Sequence, residues 1–167
     1  MNLIHIIRTL TLGVALSAGL PFARAAQNAE PITQIDSLQS AINRGDVEAA
    51  LGLYRDDSRV TGGPQCTPVN PCIGRDQVRA RFLEAIVAQR LQIRTLATQG
   101  THETMTIRNE LRSDLFRERG FERLIAWTEF QLREGLIASQ SIQFDLTDPA
   151  SAAYFAKWGS PARPKAQ

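Results

Sequence analysis

Residues 124–144 read LIAWTEFQLREGLIASQSIQF, and this stretch decides the fold class. The first half alternates, so that one side of the chain carries Leu124, Ala126, Thr128, Phe130 and Leu132. The pair Glu134-Gly135 interrupts the alternation, and a second segment follows from Ile137 to Phe144. A two-residue period on both sides of a tight turn predicts two antiparallel strands joined in a hairpin.

Two segments upstream of the hairpin show the same alternation. Leu91 and Ile93 alternate with polar neighbours, and so do Met105, Ile107 and Leu111. With the hairpin they predict a run of three or four long antiparallel strands. A shorter strand, Ser58–Thr61, is expected before a loop rich in glycine and proline.

The part of the chain before these strands has a helical period. A stripe of apolar residues predicts a helix over 31–43, and Asp46 can cap a second over Val47–Tyr54. Asp76 can cap a third, and Asp148-Pro149 introduces a last helix up to Trp158. Helices followed by antiparallel strands predict an α+β domain in which the sheet curls over the N-terminal helices.

The first 25 residues have the composition of an export signal. They contain Arg8 and Arg24, no acid, and an uncharged run from Thr9 to Ala23. This pattern is typical of a secretory signal peptide and predicts cleavage after Ala25. An uncleaved anchor is the alternative, but the run is shorter than the ~20 residues that span a bilayer. We therefore expect a signal peptide over 1–25, one domain over 26–158, a disordered tail over 159–167, and a periplasmic or secreted product without a stable membrane anchor.

Most of the chain's net charge lies in this signal. The sequence has 19 Lys and Arg against 17 Asp and Glu, and without residues 1–25 it has 17 of each. A neutral mature chain lacks the basic surface that binds a phosphate backbone, so nucleic acid is not expected as a partner. The sequence also lacks a glycine-rich phosphate-binding motif, and we predict no cofactor.

Cys66 and Cys72 are the only cysteines, and five residues separate them. In an oxidising compartment an even number of cysteines at close spacing predicts a disulfide. Metal binding is the alternative, but the mature chain adds only one histidine, His102, and structural zinc needs four ligands. We therefore expect a disulfide that fixes a proline-rich loop, and no metal site.

Four short segments carry a resemblance to known proteins. They are residues 43–50 (NRGDVEAA), 53–57 (LYRDD), 74–76 (GRD) and the hairpin at 134–137 (EGLI). Through them the chain resembles the nuclear transport factor 2-like (NTF2-like), or SnoaL-like, superfamily. The resemblance implies a cone-shaped fold, in which a curved antiparallel sheet wraps around N-terminal helices and encloses an apolar pocket. The superfamily includes ketosteroid isomerases, scytalone dehydratase, limonene-epoxide hydrolases, polyketide cyclases and non-catalytic binding modules, so several functions stay open.

The resemblance can be compared with the chemistry of a ketosteroid isomerase. That reaction needs a carboxylate base and an oxyanion hole made by a tyrosine and a protonated acid. The positions that match fall on Gly62 for the base, Thr128 for the acid and Leu38 for the tyrosine. Because none of these residues can take its role, isomerisation by that set of residues is not expected.

A limonene-epoxide hydrolase offers the second comparison. Residues 108–110 (RNE) are similar to that family's Arg-x-Asp, in which an arginine orients an acid that protonates the epoxide. The second acid, which would activate water, falls on Ile142, and the water-holding tyrosine and asparagine fall on Val60 and Gly62. Half of the acid–base pair is therefore missing.

Arg108 and Glu110 are the candidate catalytic residues that this comparison leaves. Residues two apart on a strand point to one side, so we predict that both enter the pocket, with Glu110 as proton donor and Arg108 as its orienting partner. The pocket wall is expected to consist of Leu124, Ala126, Thr128, Ile142 and Phe144. The alternative is that Arg108 and Glu110 form ordinary ion pairs across strands on a solvated face.

Three further residues have weaker functional readings. Trp127 is expected on the outer side of the sheet if Thr128 is inside, where it could mediate a homodimer or lie under the C-terminal helix. His102 falls in an expected turn, where a solvent-exposed side chain is favoured over a catalytic one. Asp145 could reach the pocket mouth or bind the backbone of the turn that follows it.

The sequence thus favours an exported small-molecule-binding protein with an apolar pocket, whose partner is a small apolar molecule. Acid-assisted chemistry on that molecule, such as epoxide opening, dehydration, cyclisation or isomerisation, is the catalytic version of this prediction. A non-catalytic ligand-binding or protein-assembly module is the alternative, and whether the protein is an enzyme stays open.

Overall fold

The computed structural model describes residues 31–158, so the expected signal peptide over 1–25 and the expected tail over 159–167 lie outside the described residues. The helices are α1 (Pro31–Arg44), α2 (Val47–Leu51), α3 (Arg75–Gln77), α4 (Glu84–Ala88), α5 (Asp114–Glu118) and α6 (Pro149–Trp158), and a π-helical segment (Val78–Leu83) joins α3 to α4. The strands are β1 (Tyr54–Thr61), β2 (Cys72–Ile73), β3 (Gln92–Gly100), β4 (Thr104–Arg112), β5 (Leu124–Arg133) and β6 (Leu136–Phe144). Within residues 31–158, no helix is both long enough and apolar enough to cross a bilayer.

The strands form one curved sheet in the order β2-β1-β6-β5-β4-β3. Strands β3 to β6 are consecutive antiparallel neighbours, and β5 and β6 form the hairpin predicted from residues 124–144. In contrast to the expected antiparallel sheet, β1 pairs with β6 in parallel, so the sheet is mixed. A parallel pair needs a long connection, which the chain between Thr61 and Leu136 provides. The predicted α+β class is confirmed.

One helix boundary and one whole helix differ from the expectation for local reasons. The carboxylate of Asp46 accepts a hydrogen bond from the backbone N–H of Ala49 and begins α2 as predicted. That helix ends at Leu51 and not at Tyr54, because Tyr54 already belongs to β1. Helix α5 was not expected. Ser113 caps it by accepting a hydrogen bond from the N–H of Phe116.

The hydrophobic core consists of two clusters. The main cluster lies between the sheet and the helices from α1 to α4, with Ile35, Leu38, Tyr54 and Phe82 among its largest buried residues. The second cluster consists of Leu111, Phe116, Leu124, Ala126 and Tyr154 and lies where α5 and α6 cover the sheet. Three partly exposed residues, Leu91, Ile93 and Ile142, pack against both clusters. They therefore mark an apolar strip between the clusters that solvent can reach.

The disulfide between Cys66 and Cys72 is present, as predicted, and both residues are fully buried. The N–H of Gly62 donates a 2.6 Å hydrogen bond to the carbonyl of Cys66, which ties the loop to the end of β1. Gly62 has φ of +86°, and a Cβ atom there would lie 1.9 Å from the carbonyl oxygen of Ile142. Only glycine allows β1 to enter the loop this close to β6.

Candidate functional site

The strands have an inner face toward the helices and an outer face away from them, and the register assigns each residue to one. Thr128 of β5 stands opposite Ile107 of β4, which belongs to the main core, so both lie on the inner face. Trp127 stands opposite Arg108 on the outer face. The expected position of Trp127 on the outer side is therefore found.

Arg108 and Glu110 lie on the outer face, and in this the structure differs from the expected arrangement. Glu110 is paired with Ile125 and Arg108 with Trp127, so neither faces the wall that contains Thr128. The physical reason is the alternation of β4, which pairs with β5 without a bulge and buries the apolar residues Met105, Ile107 and Leu111. Burying the odd-numbered residues turns the even-numbered ones outward.

Glu110 is bound by arginines other than Arg108. Its carboxylate accepts a 2.8 Å bond from Arg94 and a 2.9 Å bond from Arg112. The hydrogen bond from Arg94 lowers the pKa of Glu110, burial opposes this, and Arg112 lowers it further. Glu110 is therefore ionised at neutral pH and has no proton to donate. This is the cross-strand ion pair that the sequence left as the alternative.

Arg108 is bound to Asp145, with 2.8 Å between the guanidinium and carboxylate groups. Asp145 also accepts hydrogen bonds from the backbone N–H and the hydroxyl of Thr147, at 3.0 and 2.6 Å. The hydroxyl of Thr147 is the main cause of the lowered pKa of Asp145, and Arg108 lowers it further. Asp145 thus binds the turn that follows it, as in the second of its two readings.

The five residues of the expected wall all lie on the inner face, but helices cover much of it. They are Leu124, Ala126, Thr128, Ile142 and Phe144. Leu124 and Ala126 have no exposed surface because they pack in the cluster of Phe116 and Tyr154. Ile142 and Phe144 are partly exposed beside that cluster. The accessible part of the inner face is therefore the apolar strip between the clusters.

A chain of hydrogen bonds crosses the inner face beside this strip. The hydroxyl of Thr95 donates to Gln39 of α1 at 2.8 Å, and the Gln39 amide donates to Asn109 at 3.1 Å. The Asn109 amide then donates to the hydroxyl oxygen of Thr128 at 3.1 Å. We call these four residues the relay. All its bonds run in one direction, so the Thr128 hydroxyl accepts a bond while its own proton has no protein acceptor among the described residues.

The relay lies at the boundary of the two clusters. Asn109 stands on β4 between Ile107 of the main cluster and Leu111 of the second. Thr128 stands on β5 opposite Ile142 of the apolar strip. Buried polar groups therefore meet accessible apolar surface at this place, which is the usual composition of a small-molecule site.

A second buried polar group lies farther along the inner face. The hydroxyl of Tyr54 donates to the side-chain carbonyl of Gln140, and burial raises the pKa of this phenol. The hydroxyl of Ser58 is fully buried and has no hydrogen-bond partner in the described part of the chain. An unpaired buried hydroxyl costs about 1–3 kcal/mol, so Ser58 is a further position where a ligand oxygen could be favourable.

Ionisable groups are kept off the inner face of the central strands. Within residues 31–158, the inner positions of β4, β5 and β6 carry no Asp, Glu, His, Lys or Arg. The same described residues contain no group of three or more His, Cys, Asp or Glu side chains placed to hold a metal. The inner face is therefore equipped for neutral hydrogen bonding.

Two open clefts lie away from the inner face. The larger, of about 530 Å³, lies at the tips of the two hairpins and is lined by His102, Glu103, Glu134 and neighbouring residues. His102 is exposed there, as expected for a turn residue. The smaller, of about 230 Å³, surrounds Trp127 on the outer face. Glu110 lines neither of these two clefts.

No protein-family model and no curated protein matches the chain. Solved structures do resemble it. One is the RV0760c protein of Mycobacterium tuberculosis in complex with estradiol-17beta-hemisuccinate, 18% identical, with a TM-score of 0.59 over 71% of this chain and 97% of that one. A second is SalBIII, an epoxide hydrolase/cyclase-like enzyme of pyran ring formation in the polyether salinomycin, 15% identical, with a TM-score of 0.59 over 71% and 92%. A third is an NTF2-like protein of unknown function from Cytophaga hutchinsonii, 13% identical, with a TM-score of 0.54 over 70% and 91%.

These likenesses establish the fold of the chain. The chain has the NTF2-like fold, and the predicted resemblance to that superfamily is confirmed at this level. At 13–18% identity the similar structures show the fold of the chain but not its activity. The function therefore has to be argued from the side chains of this chain.

Proposed function

We propose that this protein binds a small, mainly apolar molecule that carries a neutral hydrogen-bond acceptor, such as a carbonyl, ether or epoxide oxygen. The ligand enters along the apolar strip of Leu91, Ile93 and Ile142, and its oxygen accepts a hydrogen bond from Thr128. The binding is non-covalent and needs no cofactor.

The hydroxyl of Thr128 is the observation that carries this proposal. It is only 4% exposed, and its oxygen already accepts the bond from Asn109. A buried donor without an acceptor is unfavourable, and a ligand oxygen that accepts its proton removes this penalty. Because Gln39 and Asn109 hold the threonine in place, little side-chain entropy is lost on binding.

The neutral inner face supports a neutral ligand. A charged group placed next to the relay would have no counter-ion on the inner side of β4, β5 or β6, and a buried unpaired charge is strongly disfavoured. The similarity in fold to the protein in complex with a steroid ester, and to the epoxide hydrolase/cyclase-like enzyme, agrees with a largely apolar ligand that carries oxygen atoms.

Binding is better supported than acid-assisted catalysis. For epoxide opening, dehydration, cyclisation or isomerisation, Glu110 would have to donate a proton with Arg108 as its orienting partner. Glu110 is ionised by its contacts with Arg94 and Arg112 and is separated from the strip by the sheet itself. The relay supplies amides and hydroxyls, which orient a ligand without activating water.

We also propose that the mature protein is periplasmic or secreted, after removal of residues 1–25. The signal-like composition of those residues and the disulfide of Cys66 and Cys72 support this. Mass spectrometry of the protein purified from its own host tests it, because an N-terminus at Ala26 is expected and a retained Met1 would contradict it.

A binding assay on the mature protein tests the ligand. Ring ketones, epoxides and a steroid are titrated by calorimetry and by thermal shift, and the products are analysed for turnover. The replacement Thr128→Val keeps the shape and removes the donor, so affinity for an oxygen-bearing ligand should fall up to about tenfold, which is the value of one hydrogen bond. Thr104→Val makes the same change on the outer face, opposite Gln131, and should leave the affinity unchanged.

Three results would contradict the proposal. They are the absence of binding over the whole panel, equal affinity in the Thr128 and Thr104 variants, and turnover that Glu110→Gln abolishes. The last result would instead establish the catalytic function.

A further inference from the structure

We propose that the outer face has a second, independent binding site, the cleft around Trp127, and that its ligand is one ring of a saccharide. The cleft has a volume of about 230 Å³ and is lined by Gln99, Thr106, Trp127, Glu129, Ser141 and Gln143. We call these six residues the Trp127 cleft. The site goes beyond the proposed function, because it lies on the opposite face of the sheet and uses none of the relay residues.

The register of four strands builds the cleft from two rows of side chains. One row is wholly polar and runs across the sheet through Gln99, Thr106, Glu129 and Ser141. The next row contains Trp127, with Arg108 on one side and Gln143 on the other. Side chains two residues apart on a strand are separated by about 7 Å, and neighbouring strands by about 4.8 Å. A six-membered ring with its hydroxyls spans such a gap, with the indole on one side and the polar row on the other.

The polar side chains of the cleft are free to bind a ligand. Gln99, Thr106, Glu129, Ser141 and Gln143 make no side-chain hydrogen bond or ion pair with any other residue in the described range 33–158. They offer amide donors, hydroxyls that donate and accept, and a carboxylate that accepts. A molecule with several hydroxyls, each both donor and acceptor, is the complement of this set.

Trp127 is held in position for stacking. The guanidinium of Arg108 lies 5.8 Å from the centre of the indole ring, and Asp145 fixes Arg108 through its carboxylate. This contact fixes the indole before a ligand binds, which reduces the entropy cost of binding. The face of an aromatic ring carries partial negative charge, and it attracts the partly positive C–H groups that a sugar ring presents.

The size and charge of the cleft exclude other ligand classes. Pockets for drug-sized molecules begin at about 300 Å³, so the cleft admits a single ring and not a fused polycycle. An anion is disfavoured because Glu129 lies in the cleft and Arg108 is already paired with Asp145. A neutral polyol is therefore the ligand class that fits the size and charge of the cleft.

Tryptophan fluorescence tests this site in the mature protein. The chain has two tryptophans, so Trp158→Phe leaves Trp127 as the only reporter. Titration with glucose, galactose, N-acetylglucosamine and their β-1,4-linked dimers should give a saturable change with at least one sugar. By calorimetry, Trp127→Ala should weaken that sugar about tenfold or more, Trp127→Phe should keep part of the affinity, and Gln143→Ala should weaken it severalfold.

Gln131→Ala is the matched control, because Gln131 lies on the outer face of β5 one step beyond Glu129 and does not line the Trp127 cleft. It should bind the sugar like the unmodified protein, and so should Thr128→Val, which separates this site from the inner one. The proposal is overturned if none of the sugars gives a saturable signal, or if Trp127→Ala binds as well as the parent. It is also overturned if sedimentation shows a dimer that Trp127→Ala dissociates, because a second copy would then occupy the cleft.

Discussion

The inner and outer faces of β4 and β5 are built from adjacent residues of the same two strands, yet they differ in the chemistry they hold. Asn109 and Thr128 on the inner face bond through neutral groups, whereas Glu110 and Arg108 on the outer face form ion pairs. The carboxylates of Glu110 and Asp145 are themselves buried, but the arginines that bind them extend into solvent, whereas a charge on the inner face would have neither water nor a counter-ion. It teaches that the kind of polar interaction is a property of the face, and that one step along the chain separates a neutral face from a charged one.

The largest effect is expected where the inner side of β1 meets β6. Gly62→Ala places a Cβ atom 1.9 Å from a backbone oxygen of β6 and forces an unfavourable positive φ, so we expect a loss of about 3–4 kcal/mol in the free energy of unfolding. Gly120→Ala is the control, because Gly120 has φ of +85° but no atom within 4 Å of the added Cβ. The free energy of unfolding should fall by only about 1 kcal/mol in this variant, because the positive φ is its only source of strain. Equal losses in urea denaturation would show that the contact with β6 is unimportant.

A charge placed in the relay should break the neutrality of the inner face. Asn109→Asp removes the amide donor to Thr128 and adds a carboxyl whose pKa burial raises, so about 2–3 kcal/mol should be lost at pH 7. Because the folded-state pKa is then above the unfolded value, the loss should shrink as the pH falls through it. Denaturation at neutral and acidic pH measures this, with Gln131→Glu on the exposed outer face as control. A loss that is the same at both pH values would mean that the inner face tolerates charge.

The outer face should lose less stability than the relay when a charge is removed. Glu110→Gln should cost about 1–2 kcal/mol at pH 7, because the carboxylate is buried but Arg94 and Arg112 are largely exposed and screened. The pKa of Glu110 is lowered, chiefly by Arg94, so its stabilisation is present above the unfolded carboxyl pKa and is lost as the pH falls through the lowered value. The variant and the parent should therefore converge in acid. The matched control is Glu129→Gln, at a carboxylate without an ion pair among the described residues, and a larger effect there would contradict the role of the arginines.

The strand pattern was sufficient to predict the α+β class and the antiparallel part of the sheet. The alternation of residues 124–144 predicted the β5–β6 hairpin, and the period change near Leu91 marked the start of the antiparallel strands. The parallel pairing of β1 with β6 could not be predicted, because it depends on where two distant segments meet and not on the local period of either. Helix α5 had only the capping residue Ser113 as a local signal.

The candidate site residues on β4 lie on the other side of the strand from the one that the sequence analysis predicted. The alternation of Met105, Ile107 and Leu111 already indicated which side of β4 is buried, and Asn109 is the polar member of that series. The spacing of Arg108 and Glu110 resembles the family's pair, but the same alternation turns both residues to the opposite side of β4. Gln39 could not have been found from sequence, since its role exists only because α1 packs over β3 and β4.

The pairing of β1 with β6 has a consequence for how the chain is made. Tyr54 and Val60 find their partners at Ile137 and Gln140, roughly 80 residues later in synthesis, so the sheet cannot be completed until nearly the whole domain has emerged. A chain that completes its sheet last remains unfolded for longer. For a protein exported as we propose, this delay keeps the chain unfolded for longer during translocation.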